Sequence, residues 1–408
     1  MFFSDDDRLA ASARARLLAT LRIQYPDALA PIGYRLLHPE TGESYSGRSR
    51  HLVATARGVA VNALGVLVDG PSWCREAATH GLDCLREAHH DPANGGYALV
   101  IETGGADRKA ESVRTIDPTR SAYAHAFVLL AFARATEAGI DGAAAGVQSA
   151  AQLLADRFID PNGLLASDRT AEWEEIEPYR GQNANMHGCE GFLAAYRATG
   201  GRAYLDRAST IARELTVELA AETDGLIWEH YTTEWEADFG YNAGSPRHQF
   251  RPPGYQPGHH VEWAKLLALL DRYDDAATAD WYERAVELFD TAIDLGWTDE
   301  GFVYTVDRDG DVMVADRYGW AGAEAVAAAA ALVERAEARG ESAAADRFRE
   351  CHQRLVETLD AFRGPAGTFH EKRLVKPSGD TLVAPEPPGV EPDYHPAGAA
   401  FETWRSFR

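Results

Sequence analysis

Two histidines of the sequence each stand three residues before a glutamate, at points where a loop passes into a predicted helix: His187 with Glu190 and His259 with Glu262. Residues three apart share one face of a helix, so each carboxylate can hold its imidazole in a single tautomer. A neutral imidazole held in this way can take up and return a proton near neutral pH. The spacing therefore predicts acid–base catalysis by histidine.

Other polar residues open a predicted helix or interrupt an apolar one. The tripeptide Asp393-Tyr394-His395 opens the last predicted helix, and Arg57 falls within an otherwise apolar stretch. An arginine at such a position indicates a buried charge that faces a pocket. Tyr123 and His125 also lie inside an apolar helix. His260 points to a different helix face from its neighbour in the pair above, and we predict a structural role for it.

The charge of the chain argues against polyanionic partners. It has 40 basic and 63 acidic residues and a formal net charge of −23, whereas nucleic acids and anionic membrane surfaces require clustered positive charge. Four of the 40 basic residues are lysines and the other 36 are arginines. An acidic surface with little lysine is typical of salt-adapted proteins. We therefore predict no nucleic-acid partner, no membrane partner and a halophilic source.

Cysteine usage and hydropathy bear on the compartment. The four cysteines, Cys74, Cys84, Cys189 and Cys351, form no C-x-x-C pair, which favours small buried thiols in a reducing compartment. The sequence has no run of apolar residues long enough to span a membrane. Its acidic N-terminal stretch lacks the apolar core of a signal peptide. The expected location is the cytoplasm.

Sequence motifs for other kinds of chemistry are absent or weaker. The sequence contains neither a G-x-x-x-x-G-K-[ST] phosphate loop nor a G-x-S-x-G nucleophile elbow. The segment 307–311, Asp-Arg-Asp-Gly-Asp, resembles a calcium loop but has Tyr318 where the last ligand would be glutamate, so a hairpin turn is predicted. The many carboxylates are compatible with a catalytic carboxylate pair, so a glycoside hydrolase stays an alternative. His187, His259 and His395 are also of a residue type that binds metal.

Helical segments must position these residues, and twelve of them are predicted from a 3.6-residue apolar period. They cover 6–24, 50–68, 71–90, 119–137, 142–158, 184–199, 202–220, 258–273, 276–295, 319–339, 341–363 and 395–407. Between pairs of helices a glycine recurs before an apolar or aromatic residue, at Gly95, Gly163, Gly225, Gly301 and Gly367, at intervals of 62 to 76 residues. Repeats of this length bury their faces against their neighbours. Six such pairs predict an all-α fold, an (α/α)6 barrel with short β-hairpins in its loops, as one domain over 1–408. An open solenoid is the competing arrangement.

Seven motifs, in order and at similar intervals, resemble those of the N-acylglucosamine 2-epimerase superfamily. They are Tyr123-Ala-His-Ala-Phe-Val-Leu-Leu-Ala, Asn183-x-Asn-Met-His187-x-x-Glu190, Glu229-His230-Tyr231 with Trp235, Pro257-Gly-His259-x-x-Glu262-Trp263, Gly301-Phe-Val-Tyr-Thr-Val-Asp307, Trp320-x-x-x-Glu324 and Asp393-Tyr-His395. The residues of these motifs are most similar to those of the aldose–ketose isomerase branch, which includes mannose isomerases and sulfoquinovose isomerase. The resemblance implies an (α/α)6 barrel that acts on free sugars as an intramolecular oxidoreductase.

Carried over by motif, the resemblance implies a catalytic set of Arg57, His187, His259, Glu262 and His395. After ring opening, a neutral histidine removes the C2 proton of the aldose. The enediolate regains a proton at C1 to give the ketose, or at C2 from the other face to give the epimer. His259 is interpreted as the proton shuttle and His395 as the partner in ring opening and proton transfer, and the two assignments are exchangeable. Glu262 is expected to orient His259, while Arg57 and His187 stabilise charge on the sugar oxygens.

The resemblance also implies a sugar-binding set, in which aromatic faces stack on the sugar ring. Its members are Tyr123, Asn185, Glu190, Trp320 and Trp263. The scheme needs no cofactor and no metal, its partner is a small sugar, and the protein is expected to be a monomer or homodimer. The alternatives are a 2-epimerase of the N-acylglucosamine or cellobiose type, a glycoside hydrolase on the same barrel, and a non-catalytic sugar-binding protein.

Overall fold

Helices dominate the computed structural model, which describes residues 4–104, 112–274, 280–376, 378–384, 388–389, 391 and 393–408. The long helices in this part of the chain are α1 Asp5–Gln24, α2 Leu52–Leu67, α3 Ser72–Asp83, α4 Ala122–Glu137, α5 Ala143–Arg157, α6 Gln182–Thr199, α7 Arg202–Arg213, α8 Pro257–Tyr273, α9 Trp281–Gly296, α10 Gly319–Arg339, α11 Ser342–Asp360 and α12 Tyr394–Ser406. Each overlaps one predicted helix. The predicted start of the 276–295 helix and most of the proline-rich segment 385–388 lie outside the described residues. No described helix is long and apolar enough to cross a bilayer.

Short strands occupy the loops between helices. Their bounds are β1 Ser49–His51, β2 Val100–Thr103, β3 Val113–Asp117, β4 Arg180–Gly181, β5 His230–Tyr231, β6 Trp297–Thr298, β7 Gly301–Val306, β8 Val312–Tyr318, β9 Lys372–Val375 and β10 Thr381–Val383. β1, β2 and β3 form an antiparallel sheet in that order. β6 to β10 form a five-stranded antiparallel sheet, a larger assembly than the hairpins that were predicted.

The calcium-like segment is the hairpin turn between β7 and β8. The Asp307 carboxylate accepts hydrogen bonds from the backbone N–H groups of Asp309 and Asp311, at 2.9 Å each. Gly310 has φ of 88°, a conformation that glycine adopts without a steric penalty. The predicted turn is therefore confirmed, and its first carboxylate is used to close it.

The contacts divide the chain into two compact units, and the single domain over 1–408 stays a prediction. The N-terminal unit comprises Leu21–Ile211 and Thr232–Glu234. In it α4 contacts α2 and α6, while α3 packs on α2 and α5 packs on α4. α4 is buried over most of its surface, as expected for a helix that is apolar all round, and α5 exposes one face.

The C-terminal unit comprises Met1–Thr20, Ala212–Tyr231 and Trp235–Arg408. In it α8 contacts α9 and α10, and α10 contacts α11 and α12. The alanine run of α10 is buried, because small side chains let neighbouring helices approach closely. α9 and α11 have a polar exposed face. Each unit thus has inner helices covered by outer ones.

The inner helices begin at residues that fix the direction of entry. His51 and Ser121 cap α2 and α4 by accepting hydrogen bonds from Val53 and Ala124, and Pro257 is the first residue of α8. The predicted catalytic residues lie in the first two turns of α2, α6, α8 and α12. The local sequence therefore places these residues at helix N-termini, where the backbone N–H groups have no acceptor within the helix and where loops commonly form ligand sites.

Candidate active site

His259 is paired with a carboxylate that comes from outside its own helix. Its Nδ1 lies 2.9 Å from both carboxylate oxygens of Glu229, the residue just before β5. Both side chains are buried. Nδ1–H donates to the carboxylate, so Nε2 carries the lone pair of the neutral ring. This corrects the prediction that Glu262 orients His259: the carboxylate on Nδ1 is Glu229.

His395 has the same arrangement. It lies in the first turn of α12, and its Nδ1 is 2.6 Å from Oε1 of Glu324 in the second turn of α10. Both residues are buried. A carboxylate on Nδ1 again leaves Nε2 as the basic nitrogen. The C-terminal unit thus contains two histidine–glutamate dyads, each formed by residues from different elements.

Trp320, in the first turn of α10, contacts both dyads. Its ring centroid is 5.0 Å from that of His259 and 6.0 Å from that of His395. The tryptophan is partly exposed, while the two histidines are buried. An aromatic ring close to two imidazoles can hold the apolar face of a sugar near both potential bases.

A buried lysine joins the second dyad. The Lys265 ammonium donates a hydrogen bond to Oε2 of Glu324 and lies 3.8 Å from Oε1 of Glu262. Glu262, Glu324 and His395 each offer one atom within 4.8 Å of the others, a residue set that can bind a divalent cation. In this structure the cation that contacts both carboxylates is the protein's own ammonium group.

The N-terminal unit contains the remaining predicted catalytic residues as a second cluster. The Nδ1 of His187 lies 3.1 Å from Oε2 of Glu190, which confirms the predicted pairing. Arg57 is buried, as predicted; its Nη2 donates to the Tyr123 hydroxyl at 2.9 Å. Its guanidinium lies 4.5 Å from the centroid of the Phe127 ring. The Tyr123 and His187 rings are 5.1 Å apart, so this cluster combines an imidazole with a fixed positive charge.

His260 and His125 are structural residues. His260 Nε2 accepts a hydrogen bond from the N–H of Ile227, and its Nδ1 donates to the Gln256 carbonyl. His125 makes the same pair of bonds, to the N–H of Tyr97 and the Ser121 carbonyl. Burial lowers the pKa of both histidines to about 4. The structural role predicted for His260 is therefore confirmed.

Two residues predicted to bind sugar have other roles. Asn185 is fully buried; its amide donates to the carbonyls of Leu165 and Gly181 and accepts from the N–H of Leu165. It therefore fixes a loop against α6 and has no surface for a ligand. Trp263 is also fully buried and is a core residue of α8. Both corrections have one cause, since motif position does not reveal which face of a helix is buried.

Three polar residues of the site were not predicted as site residues: Glu229, Lys265 and Glu324. Lys265 and Glu324 are each flanked by apolar residues in the sequence, the same signal that pointed to Arg57. Glu229 and Glu324 stand in two of the motifs that carry the resemblance, but no role was assigned to either, and the histidine partner of Glu229 is 30 residues away in the chain.

One protein family matches most of the chain. The sequence profile of N-acylglucosamine 2-epimerase matches residues 33–399. The chain belongs to this family, as the motifs predicted.

Two relatives and one solved structure, all D-mannose isomerases, are similar to this chain over most of its length. The chain is 38% identical to a D-mannose isomerase of Thermobifida fusca over 314 residues, 73% of this chain and 74% of that protein. It is 35% identical to a D-mannose isomerase of Marinomonas mediterranea over 321 residues, 77% of this chain and 78% of that protein. A crystal structure of a D-mannose isomerase superposes with a TM-score of 0.86 at 30% identity and covers 99% of this chain and 100% of its own. The predicted all-α (α/α)6 barrel class is thereby confirmed.

Proposed function

We propose that the protein is an aldose–ketose isomerase that acts on a free monosaccharide of the mannose–fructose type. The observation that carries the proposal is the pair of dyads in the C-terminal unit, His259–Glu229 and His395–Glu324, whose imidazole rings both lie close to the ring of Trp320. Identity to D-mannose isomerases over about three quarters of the chain supports this choice of reaction.

Ring opening is the first step and is assigned to His395. The base takes the proton of the anomeric hydroxyl, the C1–O5 bond breaks, and O5 receives a proton. No proton is gained or lost overall, and C1 becomes an aldehyde. Glu324 on Nδ1 stabilises the transient imidazolium, which lets the same group serve as base and then as acid.

Proton transfer between carbons is the second step and is assigned to His259. Nε2 removes the proton at C2, the C–H electron pair forms the C1–C2 double bond, and the carbonyl electrons move to O1. The hydroxyl proton at O2 passes to O1, and the imidazolium returns its proton to C1, which leaves a ketone at C2. A neutral imidazole can both take up and return a proton near neutral pH, which suits both directions of the reaction.

Arg57 and His187 keep their proposed role of stabilising negative charge on the enediolate oxygens. Supporting this role, the Arg57 guanidinium is fixed by its bond to the Tyr123 hydroxyl and its stacking on Phe127. A preorganised donor loses little energy to reorientation when charge develops. Glu190 positions His187, and we propose that its effect on turnover runs through that histidine.

A sugar 2-epimerase is the second candidate, and the presence of two basic imidazoles favours it. An epimerase needs one base on each face of C2, because the proton leaves from one side and returns to the other. A glycoside hydrolase gains less support: it needs one protonated carboxyl group as acid, whereas Lys265 contacts both Glu262 and Glu324 and favours their ionised forms.

Incubation with D-mannose in heavy water tests the proposal. We expect fructose that carries deuterium at C1, because the shuttled proton exchanges in part with solvent. Glucose deuterated at C2 as the only product would identify an epimerase. Release of a sugar from an aryl mannoside without reaction of free mannose would identify a hydrolase, and both outcomes would contradict the isomerase proposal.

We also propose a cytoplasmic location and a monomer or homodimer without a nucleic-acid partner. The four cysteines are free, and three of them are buried, which suits a reducing compartment. Fractionation and light scattering test the location and the oligomeric state.

A further inference from the structure

We propose that Lys265 is a positioning residue that acts through Glu324 to hold His395 as a neutral base. The inference rests on the proposed isomerase function and extends it to a residue that acts through the carboxylate of Glu324. Lys265 was absent from the predicted site, and it lies 130 residues before His395 in the chain.

The two oxygens of the Glu324 carboxylate contact different side chains. Oε1 lies 2.6 Å from His395 Nδ1, and Oε2 accepts the hydrogen bond from the Lys265 ammonium. With one oxygen on each partner, the plane of the carboxylate is fixed. The lysine therefore sets the orientation of the group that holds the imidazole.

Helix α8 brings the ammonium to this carboxylate. His259, Glu262 and Lys265 stand three residues apart along the helix, so they follow one another along one face. All three are buried. The Lys265 side chain extends from the third turn and reaches Glu324 on the neighbouring α10. One helix thus carries the first base at its start and the positioning charge two turns later.

Charge explains why a cation is needed there. Glu262 and Glu324 are 1% and 3% exposed, and two buried carboxylates without a counter-charge would repel each other and tend to take up a proton. Lys265 neutralises one of the two charges. Glu324 can then remain ionised and accept the Nδ1–H of His395, which makes Nε2 the basic nitrogen of the ring.

A structural filler would not need to be charged. The other buried residues of α8 from Val261 to Leu270 are largely apolar, so an aliphatic side chain would suit packing alone. The chain also uses arginine for 36 of its 40 basic residues. A compact ammonium with three donors fits between two carboxylates from different helices, whereas a planar guanidinium demands more space.

A double-mutant cycle on mannose isomerisation tests whether Lys265 acts on His395 through Glu324. We expect Lys265→Met to lower kcat about 100-fold with KM changed less than about threefold, and Glu324→Gln to cause a loss of similar size. Lys265→Met added to Glu324→Gln should cost less than about threefold more, because the lysine acts only through that carboxylate. Lys265→Arg should restore part of kcat, and Lys376→Met, on an exposed lysine, should match wild type.

Additive losses in the cycle, or a Lys265→Met variant within about threefold of wild type, would overturn the proposal. Should Lys265→Met not fold, Lys265→Gln takes its place in the cycle, and circular dichroism establishes folding for every variant.

A second readout does not depend on turnover. Ring nitrogen NMR of 15N-histidine protein should show His395 in wild type as a neutral ring with its proton on Nδ1, and should show that signal lost in Lys265→Met. A His395 spectrum that is the same in Lys265→Met as in wild type contradicts the positioning role of Lys265. If wild type fails to isomerise any aldose, the proposed function fails, while this spectrum still decides the role of Lys265.

Discussion

Glu229 and Glu324 are the residues on which the chemistry of the two imidazoles depends. Each accepts the Nδ1–H of a histidine, so each selects the tautomer whose Nε2 is the base. We expect Glu229→Gln to lower kcat about 100-fold or more, because an amide can present its N–H to the ring and stabilise the wrong tautomer. Steady-state kinetics on mannose measures the effect, with Glu350→Gln, an exposed site, as the control. A Glu229→Gln variant with wild-type kcat would contradict this role.

Local spacing finds only those partners that lie on the same helix. His187 and Glu190 are three residues apart and were predicted correctly. Glu229 stands 30 residues before His259, and Glu324 stands 71 residues before His395. Because tertiary packing alone brings such pairs together, the His-x-x-Glu pattern assigned Glu262 to a role that Glu229 holds.

The apolar period of the sequence predicted the helices well but did not detect changes in helix type. The segments 71–90 and 202–220 were each predicted as one continuous helix. The structure has α3 followed by a π-helical turn at Cys84–His89, and α7 followed by one at Glu214–Glu218. A π turn inserts one residue while side chains keep a nearly helical pattern, so apolar spacing cannot separate the two.

The alanine run of α10 makes a prediction about packing. Ala328 is fully buried in a helix that contacts α8, α11 and α12. We expect Ala328→Leu to lower the free energy of unfolding by about 1–3 kcal/mol, because added methylene groups have no space in a close-packed interface. Ala338→Leu adds the same groups at an exposed position of the same helix and should change stability little. Chemical denaturation compares the two variants, and equal effects would argue against close packing here.

Buried neutral histidines make the stability of the folded protein depend on pH. Burial lowers the pKa of His89, His125, His260 and His352 to about 4, against about 6.5 in an unfolded chain. The unfolded state therefore binds more protons between pH 6.5 and 4, so this stability is complete above pH 6.5 and is lost as pH falls toward 4. Urea denaturation at pH 7, 6 and 5 should show a steady fall, steeper in wild type than in His352→Gln. A constant free energy of unfolding would contradict it.

The net charge of −23 leads to a prediction about salt. Self-repulsion among surface carboxylates opposes the compact state, and added salt screens it. We expect the midpoint of thermal unfolding to rise between 0.1 and about 2 M potassium chloride, which would support the halophilic source inferred from composition. A midpoint that falls over this range would indicate an ordinary mesophilic surface.

If an imidazole moves a proton next to a sugar carbonyl, a variant that lacks the His259 ring must fail to move that proton. His259→Gln should abolish both fructose formation and deuterium incorporation from heavy water, as followed by NMR of D-mannose. His90→Gln, on an exposed histidine, should retain both. Isomerisation by His259→Gln at the wild-type rate would show that the His259 imidazole does not transfer the proton.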